Sequence, residues 1–242
     1  MEKAISIKDF SYVYPDKSVA LEGVTLDIDL GSKVAVIGPN GAGKSTLLLA
    51  IGGFIFGQGD ICVNGYRCCK AEIKNIRKTL GAVFQDPDDQ LFMPRLFDDV
   101  AFGPLNMGLS EEQVKSRSYD AIKTVGLEGL ENKEPHHLSA GQKRAAAIAT
   151  ILSMMPDIIT MDEPDSNLDP RNRNKLIELL NSLKQTIIIA SCSMNFVAKV
   201  CDKAVLIDDG RLVAAGDAQE IMSNSSLMEE HGLEVPAIYG GS

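Results

Sequence analysis

The chain has no apolar stretch long enough to span a bilayer. Runs such as Val34 to Ile37 and Ile187 to Ala190 are strand-length, against about 18 residues for a crossing helix. The N-terminus, Met1-Glu2-Lys3-Ala4-Ile5-Ser6-Ile7-Lys8-Asp9, is charged and alternating, with no apolar export region. Cysteine is sparse and shows no pairing pattern: Cys62, Cys68, Cys69, Cys192 and Cys201 are five in number and form no C-x-x-C spacing. The vicinal Cys68-Cys69 is a poor disulfide candidate, so the expectation is a reduced, cytosolic compartment. Positive charge is in deficit. Lys and Arg number 24 against 33 Asp and Glu, a net charge of -9, with an isoelectric point near 4.9. That balance argues against a protein that coats nucleic acid and against polybasic attachment to anionic lipid. Low-complexity tracts, long Gly/Ser or Pro linkers and repeats at about 20–50 residues are also missing.

What remains is ordinary globular material. Hydrophobic residues make up 45% and charged residues 24% of 242 residues, close to the soluble average. A chain of this size forms one large domain or two small ones. It buries about 70% of its unfolded surface and needs neither disulfide nor metal to fold.

Short apolar strands recur, each leading through a turn into a helical pattern. Lys33 to Ile37 feeds a Gly-rich turn and then Lys44 to Ile51. Asp157 to Met161, Thr186 to Ala190 and Ala204 to Ile207 are further buried strands. Asp169-Pro170 suits an N-cap followed by proline at the first helical position, and Leu176, Ile177, Leu179, Leu180 and Leu183 follow it. This alternation predicts an α/β core with a mainly parallel sheet. The first 30 residues differ: Ala4 to Ile7 and Thr25 to Leu30 alternate with period 2, which fits an antiparallel sheet with one wet face. Residues from about 88 to 155 read as helical, with a capping box at Ser110-Glu111-Glu112-Gln113 and an Ala-rich run from Ala145 to Thr150. The expected organisation is a single domain over 1–242. Its β and phosphate-loop core takes about 1–87 and 156–222, the inserted helical subdomain 88–155, and a loosely packed tail 223–242.

Gly38-Pro39-Asn40-Gly41-Ala42-Gly43-Lys44-Ser45-Thr46 matches G-x-x-x-x-G-K-[ST] between a strand and a helix. Glycines let backbone N–H groups curl around phosphate oxygens, and the helix N-terminus adds positive potential. Lys44 suits the β- and γ-phosphates of ATP, and Ser45 suits Mg²⁺. Far downstream, Met161-Asp162-Glu163-Pro164 ends an apolar strand. Adjacent residues there point to opposite sides, so Asp162 can hold Mg²⁺ through water while Glu163 polarises an attacking water.

Three further pieces resemble the ABC-type ATPases. Leu138-Ser139-Ala140-Gly141-Gln142 resembles their L-S-G-G-Q signature, Gln85 after Ala82-Val83-Phe84 their Q-loop, and Ser166-Asn167-Leu168-Asp169 their D-loop. Tyr14 lies where the family's adenine-stacking aromatic falls. The stretches Phe84 to Phe92 and Asp99 to Asn106 look like the ATPases of energy-coupling-factor importers, including the cobalt and nickel branch. The resemblance spans residues 10 to 216. It implies a P-loop core of ABC type with an N-terminal antiparallel β subdomain and an inserted helical subdomain. It also implies two ATPase subunits, identical or different, facing head to tail at the cytoplasmic face of a membrane. ATP and Mg²⁺ would sit between one copy's phosphate loop and Ser139, Gly141 and Gln142 of the other. Glu163 and Gln85 would serve hydrolysis, with Gln85 also beside the metal and near the docked membrane subunits.

Departures from the pattern are specific. Ala190-Ser191-Cys192-Ser193 stands where the family has A-T-H-D, so Cys192 occupies the switch-histidine position. A thiol is a weak donor, and losing one preorganised donor typically costs about 10²–10³ in rate. Two readings follow: a self-sufficient motor, or a nucleotide-gated partner with weak hydrolysis paired with a catalytic ATPase. Ala140 replaces the first signature glycine, and Asp165 replaces the usual threonine, adding negative charge near the site. His136-His137 reads as a solvated turn. Cys192 and Cys201 lack the His or carboxylate neighbours of a metal pair.

Overall fold

The computed structural model describes residues 2–240. In chain order the elements are β1 (Lys3–Val13), β2 (Val19–Asp29), β3 (Lys33–Ile37), α1 (Lys44–Ile51), β4 (Gln58–Val63), β5 (Tyr66–Arg67), α2 (Ile73–Thr79) and β6 (Leu80–Val83). Next come α3 (Leu96–Asn106), α4 (Glu111–Thr124), α5 (Ala140–Leu152), β7 (Ile158–Asp162), α6 (Pro170–Ser182), β8 (Thr186–Ala190) and α7 (Met194–Val197). The chain continues through β9 (Lys203–Asp208), β10 (Arg211–Asp217), α8 (Ala218–Met222) and α9 (Ser225–Glu230).

Two sheets form, ordered β2-β1-β4-β5 and β10-β9-β3-β8-β7-β6. The first is antiparallel, as its period-2 alternation predicts. In the second, β9, β3, β8, β7 and β6 run parallel and only β10 is antiparallel. Their β-branched, nearly continuous apolar runs are what a sheet covered on both faces requires. Ile5, Leu21 and Ile61 of the first sheet pack with Val34, Ile188 and Val205 of the second around Leu47 and Ile51 of α1. That explains a helix apolar almost all round. On the other face Leu176 and Leu180 of α6, Phe196 of α7 and Met222 of α8 close the core. The helices α3, α4 and α5 enclose a third cluster around Leu96, Val100, Ile122 and Ala146.

Register fixes where the chemistry lies. Val36 pairs with Ala190, Asp162 with Ala190, and Val83 with Met161, so β3, β8, β7 and β6 end together. The four loops that follow emerge along one edge. In open α/β sheets the crevice outside the carboxyl ends of the strands is where ligands bind.

The tail differs from its reading as a loose end. Met228 of α9 is fully buried, and Leu227, Leu233, Val235 and Tyr239 pack on the core cluster. His231 hydrogen-bonds Asp208 at 2.7 Å, and the Ala237 N–H donates to Asn195 Oδ1 at 2.7 Å. These few apolar residues, spread from Leu227 to Tyr239, look patternless in sequence, but they meet apolar partners from distant parts of the chain.

Candidate active site

The phosphate loop is built by close backbone approach. A Cβ on Gly38 would strike the carbonyl of Ile207, and one on Gly43 the carbonyl of Ala20; both have positive φ. Gly41, at φ +81, faces open space. Ala42 turns its methyl into the core, its N–H donates to the Pro39 carbonyl at 3.2 Å, and its carbonyl accepts from Gly210. Lys44 is buried, its ammonium donating to the carbonyls of Gly38 and Pro39, both at 2.9 Å. These acceptors hold the charged tip at the loop.

A cleft of about 390 Å³ opens there, and it gathers Tyr14, Asn40, Gly41, Lys44, Gln85 and Glu163, with Gly43, Ser45 and Thr46 on its floor. The Tyr14 hydroxyl lies 3.0 Å from Thr46 Oγ1, and its ring meets Tyr12 edge-on at 5.0 Å. Both contacts leave the aromatic standing beside the loop. Replacing Tyr14 with Ala is expected to weaken ATP binding by about 1–3 kcal/mol, the typical value of a base–aromatic stack. Fluorescent-nucleotide titration would measure it, and an unchanged Kd would reject the stacking role.

Asp162 and Glu163 part company as the strand end predicts. Burial pushes the Asp162 carboxyl upward, while the Ser45 hydroxyl, Lys44 and Arg144 pull it back. Its Oδ1 is buried with no hydrogen-bond partner. An orphaned carboxylate oxygen beside a serine hydroxyl is the oxygen-rich donor set that Mg²⁺ takes, usually with several waters. Glu163 turns the other way at φ +43. Its N–H donates to the Ala190 carbonyl at 2.8 Å, and its Oε1 accepts from the Cys192 N–H at 3.0 Å. The carboxylate is thus aimed by the main chain of the switch loop, whatever side chain stands at 192.

Cys192 lies at this corner, its Sγ donating to Asn40 Oδ1 at 3.2 Å. Burial, then the neighbouring Glu163, pushes the thiol's pKa up, so it stays a protonated, weak donor. Gly38, Pro39, Asn40 and Cys192 line an adjoining cleft of about 440 Å³. The charge of Asp165 does lie near the site, but the residue is buried and partnered: it accepts from the Ser191 hydroxyl at 3.0 Å and lies 3.6 Å from the Arg173 guanidinium. Ser191 Oγ in turn accepts from the Ser193 N–H at 3.0 Å. Asp165 therefore ties the loop after β7 to the loop after β8.

The signature residues stand apart. Ser139 and Gln142 form a reciprocal capping box on α5, with Gln142 N–H to Ser139 Oγ at 3.3 Å and Ser139 N–H to Gln142 Oε1 at 3.0 Å. Gly141 is closed on one side by the Asn172 side chain of α6. None of the three lines the phosphate-loop cleft.

One functional residue was missed in sequence. Arg144 is buried and donates to the carbonyls of Phe84 at 2.8 Å and Gln85 at 2.7 Å, and to Ser166 Oγ at 3.4 Å. It clamps the Q-loop to the D-loop from the signature helix. Its signal was available: Arg144, Ala147, Ile148 and Ile151 fall on one helical stripe, so a charge there faces inward.

The ABC transporter family pattern matches residues 21–166, from β2 to the D-loop. The chain belongs to the ABC transporter family. It is an ATP-binding, ATP-hydrolysing transport subunit of the energy-coupling-factor type. A putative ABC transporter ATP-binding protein of Geobacter sulfurreducens is 45% identical over 96% of this chain and 94% of its own. The energy-coupling factor transporter ATP-binding protein EcfA of Methanococcus maripaludis is 42% identical over 97% of this chain and 86% of its own. Among solved structures, cbiO1 of Clostridium perfringens, part of the ABC transporter complex cbiONQ, aligns with a TM-score of 0.84 at 34% identity. That match covers 99% of this chain and 98% of cbiO1. A dimeric ATP-binding cassette in a post-hydrolysis state, bound to ADP and Pi, aligns at 0.79 with 27% identity, covering 88% of this ABC chain and 98% of its own.

Proposed function

We propose that this ABC ATPase drives uptake of a metal ion or vitamin through separate membrane subunits, working at the cytoplasmic face in a pair with an identical or related ATPase. The observation that carries the paired arrangement is the separation of Ser139, Gly141 and Gln142 from the cleft that holds Lys44 and Glu163. A second copy turned head to tail supplies Ser139 and the Gly141 N–H at the N-terminus of α5, where a γ-phosphate is electrostatically favoured. Ser45 and Asp162, with Gln85 at the cleft edge, would hold Mg²⁺, which would supply positive charge against the phosphates. Glu163, fixed by the Cys192 N–H, orients and takes a proton from the attacking water. ATP closes the pair, and hydrolysis lets it reopen.

A surface beside Gln85 suits the membrane partner. Phe54, Phe84, Phe92, Phe102 and Met154 line an apolar groove of about 370 Å³. Phe92 and Phe102 meet edge-on at 5.1 Å, and Phe92 is 62% exposed. Asp99 pins the segment by accepting the N–H groups of Phe92 and Met93, both at 3.0 Å. No helix of the described residues is long and apolar enough to cross a membrane. The metal-ion or vitamin reading rests on the resemblance of Phe84 to Phe92 and Asp99 to Asn106 to the ATPases of energy-coupling-factor importers.

The test is Ser139→Arg, assayed in the assembled transporter. ATP binding to the isolated chain should be unchanged, because Ser139 lies outside the cleft. Turnover should fall at least about 10²-fold, as when an oxyanion donor is removed. Unchanged turnover would reject the shared site.

A further inference from the structure

Immediately before the signature, Glu134-Pro135-His136-His137 forms a tight turn that the transport reading leaves without a task. In sequence it reads as solvated. In three dimensions it brings in a carboxylate. Glu134 Oε2 lies 3.0 Å from His136 Nε2 and 3.7 Å from His137 Nδ1. All three donor atoms fall within 4.8 Å of one another. Among the described residues this is the one group of three or more His, Cys, Asp or Glu donors gathered so closely.

We infer that Glu134, His136 and His137 form a site for a first-row divalent transition-metal ion at the entrance to the signature helix. The donor set selects the ion class. Two imidazoles and a carboxylate suit zinc, nickel, cobalt or copper, whereas magnesium and calcium prefer oxygen alone. The geometry is close to what such an ion needs. Bonds of about 2.0–2.2 Å in a tetrahedral or octahedral shell put neighbouring donors roughly 3–3.5 Å apart; the two separations from Glu134, 3.0 and 3.7 Å, bracket that span, and the third, between the imidazoles, is within 4.8 Å.

The turn is also prepared. Pro135 fixes one φ, the His137 N–H donates to the Glu134 carbonyl at 3.0 Å, and the Leu138 N–H to the Pro135 carbonyl at 3.0 Å. Three donors from four consecutive residues therefore lose little backbone freedom on binding. The electrostatics agree, since His136 borders a cleft that also carries Asp86, Asp88 and Asp89. Lys143 neutralises Asp88 at 2.6 Å and Arg144 lies in the field of Asp86, which leaves Asp89 to favour a cation. Three protein ligands leave further positions for water, so the site is open and exchangeable. Leu138 and Ser139 follow directly, so a bound ion tethers the backbone that leads into the signature.

The experiment is a calorimetric titration of the tag-free full-length chain with Ni²⁺ in excess Mg²⁺, repeated with Co²⁺ while recording its visible absorption. Saturable binding of one ion per chain is expected. Glu134→Gln and His136→Gln should each weaken it at least about tenfold, and His136→Gln with His137→Gln should abolish the cobalt bands. His231→Gln, which alters the third histidine of the chain, should leave binding unchanged. The turn is exposed, so these variants should melt with the wild type. No saturable binding, or binding unmoved by the paired histidine substitution, would overturn the site. The titration reads the ion alone, so its failure leaves the transport reading standing.

Discussion

Glu163→Gln is expected to lower Mg²⁺-dependent ATP turnover by about 10²–10⁴-fold, the usual contribution of a positioned general base. ATP affinity should be retained. The reason is local: the amide keeps an oxygen able to accept the Cys192 N–H, now at 3.0 Å, and the strand-end bond from the Glu163 N–H to Ala190 is unaffected. Shape and position survive while the proton acceptor is lost. The same geometry bears on Cys192. The carboxylate is oriented by the main chain at 192, so the thiol there does not disturb the aim of the base. Steady-state turnover alongside nucleotide binding would decide it, and activity within tenfold of wild type would move the base elsewhere.

Arg144→Ala is expected to destabilise the fold by about 3–5 kcal/mol, the range for removing one partner from a buried charged network. The guanidinium satisfies the part-buried carbonyls of Phe84 and Gln85, and an acceptor left alone away from water costs about 1–3 kcal/mol. Burial pulls the Arg144 pKa down while Asp86, Asp165 and Asp162 hold it up, and an arginine remains charged at any working pH. Those three carboxylates would lose their shared cation. At roughly 2–4 °C per kcal/mol for a chain of this size, the Tm should drop by about 6–20 °C. Lysine at 144 should rescue only part, because a single ammonium cannot reproduce the planar fork across two carbonyls. A melt within a degree or two of wild type would show that the clamp contributes nothing.

How much of this was legible in the sequence depended on how local the cause was. The phosphate loop is spelled by nine consecutive residues, although the close approach of Gly38 to Ile207 and of Gly43 to Ala20 shows only in the fold, and the capping box at Ser110 is likewise contained in four residues. The parallel strands declared themselves because a sheet covered on both faces demands continuous apolar runs. The partners of Asp165 were not legible because Ser191 and Arg173 lie 26 and 8 positions away, and no local pattern records that meeting. The tail was read as loose because its apolar partners are equally distant in sequence. Glu134 escaped because a carboxylate in a polar turn looks solvated until the turn folds it back on its neighbours.

The burial of α9 also bears on how the chain divides into modules. Every group assigned to nucleotide chemistry precedes Ser193, yet Met228 and Leu233 complete the face formed by Leu206, Ile221 and Met222. A fragment cut after α8 would keep all the chemistry and lose the cover over that apolar face, inviting self-association. The smallest heritable unit of this machine is therefore longer than its catalytic part, and gene fusions or splits are better tolerated beyond Tyr239 than between α8 and α9.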